Sequence, residues 1–125
     1  MTPLRSADQT ICDQVRRREA CDGALFAVFT DAERRVVLSA AVSEGTSDVD
    51  ELFLRHLVTM VADVGVAAVV FAVVRAGGKP TRVDKRLWRE LSVRLAGLPT
   101  ELLDVLVVGA QTSWSAAASV SRGSS

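Results

Sequence analysis

Residues 66–90 read VAAVVFAVVRAGGKPTRVDKRLWRE, and the architecture follows from the change of pattern inside them. Residues 66–74 are apolar without alternation. A strand with one wet face alternates, whereas a strand covered on both faces does not. The run therefore predicts a central strand with helices on either side. Gly77-Gly78-Lys79-Pro80 breaks the chain into a loop. This loop lacks the leading Gly and the trailing Ser/Thr of a phosphate loop, so it reads as a turn. Residues 83–96 then space Leu87, Leu91 and Leu95, with Trp88 or Val93, at the period of an amphipathic helix. Gly97 and Pro99 stop it.

Working outward, residues 7–21 predict a first helix capped by Ser6 or Asp8, with Ile11, Cys12 and Val15 as a thin apolar stripe. Gly23 is its stop. Residues 24–30 and 35–42 predict two strands joined by the polar turn Asp31–Arg34, an antiparallel hairpin. Asp48 with Glu51 marks the start of a helix that runs to about residue 63, with Leu54, Leu57, Val58 and Val61, and Met60 as a further candidate, inward. Residues 101–109 predict another strand, and residues 111–117 a short last one around Trp114. The tail, residues 118–125, has the composition of a disordered segment. The order is α-β-β-α-β-α-β-β, an α/β domain with a mixed sheet.

A chain of 125 residues suits one domain, and its apolar fraction of 49% supplies a core. The formal net charge is zero, so the chain as a whole shows neither a nucleic-acid nor a membrane signature. The zero hides a basic segment from Arg75 to Arg94 and an acidic one from Glu44 to Glu51. Solvated helix faces ordinarily explain such a split. Residues 1–10 carry no apolar leader, and no apolar run is long enough to span a bilayer. Cys12 and Cys21, nine apart in one predicted helix, suit neither a disulfide nor a zinc knuckle. These features predict a cytoplasmic protein with reduced thiols. Trp88 and Trp114 could serve an interface, but core packing is the commoner role in a chain this poor in aromatics.

A series of local motifs adds to this. Residues 25–37 have the form LFxxFxDxxxRVV, followed by Gly45-Thr46, the run VAAVVFA, Gly78, Pro80-Thr81, Leu103-Asp104 and Val107-Val108-Gly109. Each is weak alone, but together, in this order and over residues 24–116, they resemble the RadC-like branch of the JAB/MPN (JAMM) metallopeptidase-like proteins. The resemblance implies one domain over residues 1–117 with the JAB/MPN-like, cytidine-deaminase-like fold. It also implies chemistry. In active members two histidines and an aspartate bind zinc, in the frame His-x-His, seven residues, Ser-x-x-Asp. The serine and an upstream glutamate assist the zinc-bound water, which the metal makes acidic enough to act as a nucleophile.

This chain departs from that frame at every position. It reads Val73-x-Arg75, seven residues, Val83-x-x-Arg86. Ala40 stands at the upstream glutamate, and Val105 at the His of the family's Leu-Asp-His strand. Valine has no lone pair to give, and arginine is a permanent cation that repels zinc. A shift of a residue or two brings Asp84 into the frame, but a lone carboxylate is not a zinc site. His56, the chain's one histidine, sits mid-helix beside Arg55 and reads as an ordinary surface or boundary residue.

Three functional expectations follow. The first is a catalytically inactive domain, with no catalytic residue, metal or cofactor, acting as a scaffold for a protein partner or a second copy, as metal-free members of the family do. The family's usual helix-hairpin-helix segment, its most obvious DNA-contacting part, is not expected in residues 1–23. The second is a former metal pocket rebuilt for an anion. There Arg75 and Arg86 converge, with Lys79 and Arg82 on the intervening loop, and phosphate, a nucleotide or nucleic-acid backbone is the guest. Against it stands the alternative that Arg75 pairs with Asp84 or Asp104 and plugs the vacated site. The third is an enzyme of another chemistry using Cys21, Ser113 or Ser115, although no base accompanies them in a recognised pattern.

Overall fold

The structure, a computed structural model, describes residue 4, residues 6–45 and residues 49–123. Thr46, Asp48, Ser124 and Ser125, which figured in the expectations above, lie outside the described residues. The elements are α1 (Ser6–Arg16), β1 (Leu25–Thr30), β2 (Val36–Ser43), α2 (Glu51–Val64), β3 (Ala68–Val74), α3 (Arg82–Leu95), β4 (Glu101–Val108), β5 (Ser113–Ser115) and α4 (Ala116–Gly123). The expected order is present, with α4 added at its end.

The strands form one mixed sheet in the order β2-β1-β3-β4-β5. β1 pairs antiparallel with both β2 and β3, and β3 pairs parallel with β4. A parallel pair needs a long crossover, and α3 supplies it. β3 is thus the middle strand, and its residues Ala68–Val73 are buried, as the unbroken apolar run requires. On one face Leu25, Phe29, Phe71, Val73 and Val107 pack with Leu57 of α2 and Leu91 of α3. On the other, Phe26, Val28, Val70, Ala72 and Leu106 pack with Ile11, Cys12 and Val15 of α1. Trp88 and Trp114 are partly buried against the first of these cores.

Local signals set the boundaries. Asp50 caps α2 by accepting from the Phe53 N–H at 2.8 Å, and Gly65 ends it in the left-handed region at φ 64°. α1 ends at Arg16, short of the expected residue 21. Its chain reverses through Glu19 at φ 51°, so that the Gly23 N–H reaches the Val74 carbonyl at 2.6 Å. Pairing with the central strand outweighs another helical turn there.

The tail expectation is corrected. Residues 116–123 form α4 rather than a disordered segment. Two groups on the strands start this helix. Asp104 accepts from the Ala117 N–H at 3.2 Å, and Ser115 accepts from the Ala118 N–H at 3.0 Å. These bonds satisfy first-turn donors that would otherwise lack partners, and Ala116 is fully buried beneath them.

Candidate functional site

β3 and β4 end side by side, and the chain leaving β3 enters the loop at which the resemblance implied a metal frame. Arg75 is the first residue past β3, and its N–H donates to the Val108 carbonyl at 3.1 Å. The loop is held down at two further points. Asp22 accepts from the Ala76 N–H at 2.6 Å. Gly78 lies directly against Gly109, where a Cβ on Gly109 would stand 2.6 Å from the Gly78 Cα. Gly78 has φ +73°, so both the close approach and the backbone conformation favour glycine there.

α3 begins at Thr81, its N-cap. Thr81 Oγ1 accepts from the Asp84 N–H at 3.2 Å, and Asp84 Oδ2 accepts from the Thr81 N–H at 2.9 Å. This reciprocal box turns the Asp84 carboxylate inward, toward the end of β3. There it meets Arg75. The guanidinium Nε lies 3.1 Å from both carboxylate oxygens, and Nη2 lies 2.6 Å from Oδ1. Asp84 is wholly buried and the Arg75 side chain is 12% exposed. Both oxygens of Asp84 are therefore taken up by the guanidinium and the helix cap. A forked, permanently charged donor on a carboxylate is a strong arrangement when it is shielded from water.

The residues that the resemblance sets at metal positions do not fit zinc. Val73 is buried in β3 and pairs with Val107. Arg75 is paired with Asp84, and Val83 lies in the first turn of α3. Arg86 is exposed, Ala40 sits on β2 opposite Ala27, and Val105 is buried in β4. Among the described residues no group of three His, Cys, Asp or Glu side chains could hold a metal ion.

Of the candidate anion-binding residues, the structure brings together Arg82 and Arg86 but not Arg75. Arg82, Lys85, Arg86 and Arg89 line a cleft of about 490 Å³ on the outer side of α3. Arg75 instead lines a separate crevice of about 380 Å³, between the end of α1 and the ends of β3 and β4. Arg16 braces that crevice by donating to the Gly109 carbonyl at 2.8 Å and to the Ser113 hydroxyl. Lys79 is exposed on the loop.

Asp104, the other expected partner of Arg75, is held by different groups while Arg75 pairs with Asp84. It is buried, with its carboxylate accepting from the Val105 N–H at 2.7 Å, from the Ser115 hydroxyl and from the Ala117 N–H. Burial pushes its carboxyl above the ordinary carboxylate range, against the lowering effect of these donors. Ser113 and Ser115 are thus engaged by Arg16 and Asp104. Cys12 is a buried free thiol, pushed up by burial, while Cys21 is a free thiol at the surface. His56 is exposed on α2. Among the described residues no helix is long and apolar enough to cross a membrane.

The comparisons with known proteins agree with this layout. The chain matches the RadC-like JAB domain family over residues 3–121. It is 31% identical over 96 residues to a UPF0758 protein of Vibrio atlanticus, covering 75% of this chain and 41% of that one. A UPF0758 protein of Shewanella amazonensis is 33% identical over 88 residues, covering 68% of this chain and 39% of its own. The chain therefore spans about two-fifths of the length of the curated relatives it matches. On this evidence the chain belongs to the RadC-like JAB domain family.

Proposed function

We propose that this chain is a RadC-like JAB domain that has lost zinc hydrolysis and serves as a protein-interaction module. The observation that carries the reading is the buried Arg75–Asp84 pair. The carboxylate nearest the family's metal position is consumed by a guanidinium and a helix cap, and the neighbouring positions are valine or arginine. A zinc ion there would need Asp84 freed from its partners and two further ligands supplied. The fold itself is kept, with its loops pinned, and a kept fold without the family's chemistry suits a scaffold. The test is an assay of the purified chain with added zinc, against both linear and isopeptide-linked peptides. The expected result is no hydrolysis above the zinc-only background. Turnover that a chelator removes and zinc restores would contradict the reading.

A second reading has its own support in the cleft on α3. Arg82, Lys85, Arg86 and Arg89 recur on one helix face and are all basic. A phosphate-bearing polyanion is the matching guest, and its binding would weaken steeply with salt as counterions are released. Arg82→Ala with Arg89→Ala would lower both the affinity and the salt slope. Unchanged binding in that double variant would remove this reading and leave the first untouched.

A further inference from the structure

A second cleft lies at the far end of α3 from Arg75. α3 has 14 residues, so its last turn stands about 20 Å from the loop that holds Arg75. There the helix end and the start of β4 enclose about 390 Å³, within the range of ligand pockets, roughly 300–1,000 Å³. Trp88, Leu98 and Leu102 give it partly buried apolar walls.

Apart from the indole, its polar groups all accept. Ser92 and Thr100 line the cleft, but each spends its hydroxyl hydrogen on a carbonyl, Ser92 on that of Trp88 and Thr100 on that of Val66, both at 2.6 Å. Only lone pairs remain on these oxygens. The N–H groups of Leu98 and Glu101 are spent on the carbonyls of Leu95 and Ala67, each at 3.0 Å, and Pro99 has none. Glu101 is exposed and, among the described residues, has no cationic partner. No described Lys or Arg lines the cleft. Arg94, in the last turn of α3, is drawn off to Glu51 and Glu90. The helix terminus at Leu95 and Ala96 adds the negative end of its dipole.

We propose that this cleft binds a primary ammonium group carried on an aliphatic stem. An ammonium offers three donors and no acceptor, which suits a carboxylate and two hydroxyls that can only accept. The stem lies along Leu98 and Leu102, and the Trp88 ring attracts the charge once it comes within about 6 Å. A carboxylate or phosphate would meet acceptors and a like charge. A bare metal ion would leave the apolar walls unused, and no group of three metal-ligating side chains stands there among the described residues. The same chemistry is carried by a free alkylamine and by a lysine side chain of a partner protein. The inference is independent of the interaction-module reading, which rests on Arg75 and Asp84, and its failure would leave that reading standing.

The experiment is an NMR titration of the full chain at fixed ionic strength and neutral pH. The probes are pentylamine, a lysine blocked at both backbone ends, and pentanoate as an anion of similar length. The Trp88 indole N–H and the amides of Leu98, Thr100, Glu101 and Leu102 should shift saturably with an ammonium and not with pentanoate. Tighter binding of the blocked lysine assigns the cleft to a partner protein, and tighter binding of pentylamine assigns it to a free amine. Glu101→Gln, a change at an exposed side chain, should weaken binding about fivefold or more, and Glu101→Lys should abolish it by supplying a charge of its own. Trp88→Leu should weaken it about threefold. Circular dichroism checks that this last variant folds, and the Glu101 variants decide if it does not. No saturable shift with either ammonium, equal shifts with pentanoate, or binding indifferent to Glu101→Gln overturns the proposal.

Discussion

Asp84 and Asp104 are both buried carboxylates beside the central strands, and they are held in opposite ways. Asp84 faces a guanidinium and caps its own helix. Asp104 faces a hydroxyl and two backbone N–H groups, and it starts a helix remote from it in sequence. A charge paired with a charge costs most when one partner is removed, because the other is left buried and uncompensated. A charge held by neutral donors retains more of its desolvation penalty and responds to pH. The two sites therefore predict different kinds of damage.

The largest effect is expected at Arg75. Arg75→Leu leaves Asp84 buried without its cation and should cost about 3–5 kcal/mol in denaturant unfolding. Adding Asp84→Asn removes the stranded charge and keeps an oxygen for the Thr81 N–H, so the double variant should be more stable than Arg75→Leu alone. Additive losses would mean that the two side chains do not act as a pair. Next comes Asp104→Ala, which removes the acceptor for three donors and should cost about 1–3 kcal/mol. Hydrogen exchange should locate the loss in α4. An unchanged α4 would mean that this helix does not depend on the carboxylate.

The smallest effect is one of pH. The Asp104 carboxyl is raised in the folded chain above its ordinary value of 3.8, chiefly by burial. The folded state then holds its proton more tightly than the unfolded state does. Its contribution to stability is present below the unfolded value and is lost as pH rises through the folded one. Asp31 and Glu51 are lowered by their bonds to Arg35 and Arg94, and they contribute in the opposite sense, losing stability as pH falls. The difference between the parent and Asp104→Asn isolates the first contribution. Relative to that variant, the parent should lose stability on going from acid toward neutral pH. A difference that is flat with pH would contradict the raised carboxyl.

The comparison also explains what the sequence could and could not tell. Local pattern carried most of the fold: an unbroken apolar run for β3, the Leu87-Leu91-Leu95 spacing for α3, and a polar turn between β1 and β2. Asp84 was legible as one of two partners for Arg75, because it lies in the first turn of the next helix. The expected convergence of Arg75 with Arg86 failed on helix geometry. Residues two apart point to nearly opposite sides of a helix, so turning Asp84 inward sends Arg86 outward. α4 was missed because SVSRGSS has no helical signature of its own. Its start depends on Asp104, a dozen or so residues earlier, and a capping bond across that distance leaves no local pattern.

The proposed reading puts the buried Arg75–Asp84 pair where the resemblance implies a metal, and calorimetric titration of the purified chain with zinc tests it most directly. The account predicts no saturable uptake, in the parent or in Arg75→Leu, because removing the cation still leaves a single carboxylate. One zinc bound per chain, lost on Asp84→Ala, would contradict it.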